Sequence, residues 1–136
     1  MKFFLDNNLP PNLAGCLREA SSGHFKNGLV TDVVHLRMDF PANTPDIDWI
    51  KALASQKDWT IISRDAFRKK NGAERKVLRQ SGLSVFVLQS SWSSHPYWDS
   101  TAQLLRWWPR IVEQANLVEG AAFEVPWRIT GKFKQL

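Results

Sequence analysis

Four short apolar runs mark the first two thirds of the chain, and the segments between them switch from a strand-like to a helix-like period. Lys2-Phe3-Phe4-Leu5 ends in Asp6-Asn7-Asn8-Leu9-Pro10-Pro11, a polar turn whose prolines suit the first turn of a helix. From Pro11 to Ala20, Leu13, Ala14 and Leu17 recur at helical spacing until Ser21-Ser22-Gly23 stops the pattern. Thr31-Asp32-Val33-Val34-His35-Leu36 is β-branched and apolar, predicting a second strand, and Phe40 to Pro45 reads as a loop. Thr44 is placed to cap the next helix with Pro45 in its first position; Trp49, Ile50, Leu53 and Ala54 then form a buried stripe ending near Gln56. Trp59-Thr60-Ile61-Ile62-Ser63 predicts a third strand and Gly72 to Gln80 a charged helix. Leu83-Ser84-Val85-Phe86-Val87-Leu88 predicts a fourth strand, and a last helix runs from about Tyr97 to Ala115 on Leu104, Leu105, Trp108, Ile111 and Val112.

The resulting β-α-β-α-β-α-β alternation, with strands apolar on both faces, predicts an α/β fold with a mainly parallel central sheet of four or five strands covered by helices. The tail from about residue 116 to residue 136 has no strong period, so the chain reads as a single domain with a core of about residues 1–115 and a C-terminal extension. A length of 136 residues, with 43% apolar and 12% aromatic content, suffices for one buried core. No run approaches the roughly 18–20 uncharged apolar residues of a membrane span, and an acid at position 6 comes too early for a signal peptide, so a soluble, cytoplasmic protein with no membrane partner is expected. A lone cysteine, Cys16, forms no internal disulfide and is expected to serve helix packing. The 18 Lys and Arg against 13 Asp and Glu give a net charge of +5, which favours polyanionic partners without identifying one.

Candidate chemistry lies in the acids. Asp6 and Asp65 follow the first and third strands, so in a parallel sheet both emerge at the carboxyl edge, where open α/β sheets bind ligands. Asp46 starts the helix that feeds the third strand, and such a helix begins at that same edge. Three carboxylates converging in one crevice repel, and a divalent cation with a preference for hard oxygen ligands, Mg²⁺ or Mn²⁺, relieves the repulsion. Asp48, two residues past Asp46, is a further candidate ligand, although residues two apart on a helix point in different directions. Each acid also has an ordinary reading: Asp6 as a turn residue, and Asp46 or Asp48 as first-turn acids favoured by the helix macrodipole.

Other enzyme signatures are missing. His24, His35 and His95 lack the spacing of a zinc site, and His35 within a strand is expected to be packed. No Walker loop, dinucleotide fingerprint or Ser-His-Asp arrangement is visible. A response-regulator-like fold usually needs a lysine after a later strand, where this chain has Gln89-Ser90-Ser91. Trp49, Trp107 and Trp108 fit helical apolar stripes, whereas Trp92 and Trp98 are unconstrained by pattern.

Three segments together, Phe3-Phe4-Leu5-Asp6-Asn7-Asn8-Leu9-Pro10-Pro11, Thr44-Pro45-Asp46-Ile47-Asp48-Trp49-Ile50 and Trp59-Thr60-Ile61-Ile62-Ser63-Arg64-Asp65, resemble the PIN-like superfamily, and specifically its minimal VapC-type toxin-like branch. Arg106-Trp107-Trp108-Pro109-Arg110 through Phe123-Glu124-Val125-Pro126 is similar to that branch as well. The resemblance implies a three-layer α/β/α domain and a Mg²⁺- or Mn²⁺-dependent endoribonuclease. It also implies the toxin half of a bacterial toxin-antitoxin pair, silenced by a cognate antitoxin protein; a homodimer is a separate expectation. By position, Asp6, Asp46 and Asp65 match the catalytic, metal-binding acids. Asn8 stands where many relatives have Glu, and Phe67 where many have another Asp. An inactive PIN-like module that binds RNA or a protein is the alternative. Arg64, Arg68, Lys69, Lys70, Arg75 and Lys76, flanking Asp65, are the candidate RNA-binding surface; the ordinary reading of such a run is a solvated helix face.

Overall fold

The computed structural model describes residues 1–65, 67 and 72–136. Its elements follow the expected alternation: β1 (Lys2–Leu5), α1 (Asn12–Ser21), β2 (Asp32–His35), α2 (Leu36–Asp39), α3 (Asp46–Gln56), β3 (Trp59–Ser63), α4 (Ala73–Ser81), β4 (Ser84–Leu88), α5 (Tyr97–Leu117), β5 (Ala122–Val125) and β6 (Lys134–Gln135). The sheet order is β2-β1-β3-β4-β5-β6. The first five strands are parallel, and β6 closes the edge antiparallel to β5.

Because neighbouring strand residues point to opposite faces, each doubly apolar strand feeds two cores. Phe3, Leu5, Val33, Ile62, Phe86 and Leu88 pack with α1 and α5, through Leu13, Leu17, Trp108, Ile111 and Val112. Phe4, Val34, Ile61, Val85 and Val87 pack on the other face with α3 and α4, through Trp49, Ile50, Leu53 and Leu78. Phe4 stacks on Trp49 with ring centroids 5.0 Å apart, and Phe3 lies against Trp108 at 4.6 Å. Burying one such side chain stabilises the fold by about 1.5–3 kcal/mol. The result is a three-layer α/β/α domain.

Trp49, Trp107 and Trp108 are buried as expected, and so is Trp92, whose indole N–H donates to Val125 O at 3.0 Å. Thr44 does not cap α3: its hydroxyl donates to Pro41 O at 2.6 Å, and Pro45 occupies the cap position. Cys16 is exposed on α1 and does not serve helix packing. The sheet has six strands where four or five were expected, the tail adding β5 and β6: Phe123 and Val125 of β5 alternate inward, and Phe123 stacks on Phe86 at 5.5 Å. Arg110 secures the tail, with its guanidinium donating to Ile129 O and Gly131 O while it lies over Trp107. Among the described residues no helix is long and apolar enough to cross a membrane.

Candidate metal centre at the carboxyl edge

The register of β1 on β3 pairs Leu5 with Ile62, which sets Asp6 beside Ser63 just past the last paired residues. Asp6 N donates to Ile62 O at 3.0 Å, so the ladder continues one residue into the turn and fixes where the carboxylate leaves the sheet. That carboxylate is 4% exposed. Its Oδ1 accepts Asn7 N at 2.6 Å, while Oδ2 accepts the Ser63 hydroxyl at 2.7 Å and Asn8 Nδ2 at 3.4 Å. Despite these donors, burial pushes the Asp6 pKa up to about 6; Ser63 and Asn7 oppose the rise, and the nearby charges of Asp46 and Asp65 add to it.

Asp65 is positioned by the same serine, since Asp65 N donates to Ser63 Oγ at 2.9 Å. Its Oδ1 accepts Phe67 N at 2.8 Å, an Asx-type turn that lets Phe67 adopt φ 55°. Asp46, in the first turn of α3, accepts the indole N–H of buried Trp49 at 3.0 Å. The core thereby orients the acid.

One further acid joins them. Carboxylate oxygens of Asp46, Asp65 and Glu74 all lie within 4.8 Å of one another. Glu74 sits in the first turn of α4 and is 7% exposed. In the sequence Glu74 stands as the single acid among Arg68, Lys69, Lys70, Arg75, Lys76 and Arg79. The signal that finds it is the argument that located Asp46: α4 feeds β4, so its first turn also begins at the carboxyl edge. Asp6 is outside the three-oxygen group but close enough for its titration to feel Asp46 and Asp65. Asp48 is exposed on α3 and does not join.

Of the candidate RNA-binding residues, Arg64 and Arg75 are half-buried and Lys76 is exposed; Arg68, Lys69 and Lys70 lie outside the described residues. Arg64 N donates to Asn8 Oδ1 at 3.1 Å, tying the base of β3 to the turn after β1. His35 is packed, as expected: buried, it meets Leu9 O through Nε2 at 2.7 Å and accepts Arg37 N at Nδ1 at 3.1 Å. That arrangement requires the neutral Nε2–H tautomer, and burial holds the pKa below its usual value, helped by the Arg37 charge and opposed by the hydrogen bonds to Leu9 and Asp6.

A family model described as a PIN like domain matches residues 1–90. The chain belongs to this PIN-like family. The match spans β1 to the turn after β4, and therefore every acid of the centre; α5, β5 and β6 follow it. No curated protein and no solved structure matches the chain.

The donor set suits a hard cation. All its candidate ligands are carboxylate oxygens, as Mg²⁺ and Mn²⁺ prefer, and they lie within 4.8 Å of one another. The Asp6 pKa is raised chiefly by burial, and the uncompensated charges of Asp46 and Asp65 add to the rise, an effect that a bound cation would oppose.

Proposed function

We propose that this PIN-like domain is a divalent-metal-dependent endoribonuclease of the toxin type, acting in the cytoplasm and silenced by a cognate antitoxin protein. The convergence of Asp46, Asp65 and Glu74 beside Asp6 at the carboxyl edge carries this reading. Asp46, Asp65 and Glu74 would hold Mg²⁺ or Mn²⁺, with Asp6 adding negative charge behind them. When bound, such a cation supplies Lewis-acid charge and lowers the pKa of a coordinated water. The chain's own part is positional. Ser63 sets Asp6 and Asp65 relative to each other, and Trp49 sets Asp46. The net charge of +5 favours approach of a polyanion to an acidic crevice that would otherwise repel it. In hydrolysis, the oxygen of water bonds to phosphorus in line as the bond to the leaving sugar oxygen breaks, and a proton reaches that oxygen; no covalent enzyme intermediate is needed.

The test is cleavage of a labelled RNA with Mn²⁺ or Mg²⁺, with and without a chelator. Metal-dependent cleavage that is lost in Asp6→Asn and Asp65→Asn supports the reading, and cleavage unchanged in both variants removes it. An adjacent small reading frame with a DNA-binding pattern, whose product abolishes cleavage, is expected of the toxin assignment.

One observation favours the second reading, an inactive module that binds RNA or protein: Asn8 and Phe67 replace acids common among relatives, and Phe67 is 2% exposed, packed in the core against Trp49. Calorimetry with Mn²⁺ separates the two, since the inactive module has no bound ion.

A further inference from the structure

Beside the acid centre lies a second concavity of about 390 Å³, formed by the turn after β1, the start of α2 and the start of α5. No Asp or Glu lines it, whereas Arg37, Arg64, His95, Tyr97 and Thr101 do. Asn8 belongs to both places: it lines this groove and its side chain reaches Asp6 Oδ2. A chain lying in the groove is therefore delivered to the acids.

Two polar groups on its walls lack partners. Thr101, 6% exposed, has its hydroxyl buried with no hydrogen-bond partner among the described residues, and Arg64 Nε is in the same condition. Buried unpaired donors are costly, about 1–3 kcal/mol each, and mark places where a ligand supplies the acceptor. The rest of the groove is preorganised. Arg37 Nε is held by Asn7 Oδ1 at 2.7 Å, and the residue is exposed. The His95 ring lies flat on Trp127, 3.5 Å between centroids and 4° from parallel, while Tyr97 is exposed and packs edge-on against Trp98, which is 78% exposed. Exposed aromatic faces next to arginines are the composition of a surface on which nucleobases stack while the backbone phosphates are neutralised.

We propose that this groove is the subsite for the nucleotide flanking the scissile phosphodiester, with Arg37 and Arg64 receiving a backbone phosphate and Tyr97 the face of one unpaired base. The proposal rests on the nuclease reading for what happens next, but not for binding. A base can reach Tyr97 only when it is splayed from its neighbours, so the subsite selects single-stranded over duplex RNA.

The experiment measures binding of a short fluorescein-labelled single-stranded RNA of mixed sequence by anisotropy, in EDTA, to the full chain. Arg37 and Tyr97 are exposed, so Arg37→Ala and Tyr97→Ala leave the core intact. Each is expected to weaken binding about tenfold, with Thr101→Val weaker than the unaltered protein and Lys26→Ala, exposed in the turn before β2 and outside the groove's lining, unchanged. In Mn²⁺ the same variants are expected to raise KM more than they lower kcat. If the unaltered protein binds no RNA, or if Arg37→Ala and Tyr97→Ala bind it equally well, the subsite is overturned; a protein partner competing for an RNA-silent groove has the same meaning. RNA bound through these residues but never cut would sustain the subsite and remove the nuclease reading. RNA cut with affinity and KM unmoved would do the reverse.

Discussion

The Ser63 hydroxyl donates to Asp6 Oδ2 at 2.7 Å and at the same time accepts Asp65 N at 2.9 Å, so one fully buried side chain sets the spacing of two acids from different strands. Ser63→Ala deletes both contacts. A buried carboxylate that loses a donor costs about 1–3 kcal/mol, and loss of the bond that stabilises the charged form drives the Asp6 pKa above its present value of about 6. The expected outcome is a lower Tm together with a cleavage profile whose acid limb moves to higher pH. A fall in Tm with an unmoved acid limb would mean that Asp6 titration does not govern activity.

Asp6 and His35 bias stability with pH in opposite senses. The Asp6 pKa is raised from 3.8 to about 6, so between these values the folded state binds the extra proton and stability falls as pH rises, by roughly 2–3 kcal/mol across the window. His35 has a folded pKa below 6.5, so the unfolded chain takes the proton first and stability falls as pH drops below 6.5. The two slopes partly cancel in the unaltered protein. Asp6→Asn removes the first, so this variant in EDTA is expected to melt higher than the unaltered protein at pH 7 and to lose stability more steeply on acidification. Thermal melts at pH 5, 6 and 7 check both signs.

Glu74 separates a metal ligand from a solvated acid in a basic run. Glu74→Gln preserves shape and removes the charge, and is expected to weaken Mn²⁺ binding more than tenfold by calorimetry while leaving the melting temperature in EDTA unchanged or higher. Saturating metal stabilises in proportion to its excess over Kd, about 2.7 kcal/mol at a hundredfold excess, so the rise in Tm on adding Mn²⁺ should shrink in the variant. An undiminished Mn²⁺ shift would place the ion without Glu74.

The sheet was legible because β1 to β4 each carry adjacent apolar residues that face both layers, such as Phe3-Phe4, Val33-Val34, Ile61-Ile62 and Val85-Phe86-Val87, and the two acids that follow β1 and β3 could be placed from strand direction alone. Glu74 was legible by the same rule but masked by its surroundings, since a single acid among Arg75, Lys76 and Arg79 reads first as charge balance. β5 and β6 were not legible: in β5 only Phe123 and Val125 are buried, between half-buried Ala122 and Glu124, and β6 has only two residues, both exposed. Their place is decided by Phe123, Phe86 and Phe133 packing at a distance in sequence. The groove lined by Arg37, Arg64 and Tyr97 was equally hidden, because it assembles the turns after β1 and β3 with the first turns of α2 and α5, which no local pattern links.

Positions 8 and 67 carry the same sequence departure, a missing acid, but the structure gives them opposite tolerance. Asn8 is exposed, so Asn8→Glu leaves the core untouched; it exchanges an amide donor to Asp6 for another carboxylate, which raises the Asp6 pKa further and tightens Mn²⁺ binding. Phe67 is 2% exposed, with its ring 6.1 Å from Trp49. At φ 55° an aspartate is tolerated better than most residues, so the backbone does not oppose Phe67→Asp. The cavity does. Removing a buried phenyl ring costs about 3–5 kcal/mol, and the carboxylate that replaces it is desolvated beside Asp65, whose Oδ1 already accepts the position-67 amide. Phe67→Asp is therefore expected to lower the Tm sharply without gaining metal affinity, while Asn8→Glu gains affinity at little cost in Tm; paired melts and Mn²⁺ titrations of the two variants decide it. A stable Phe67→Asp protein with tighter Mn²⁺ binding would show that the site, rather than the core, claims this position.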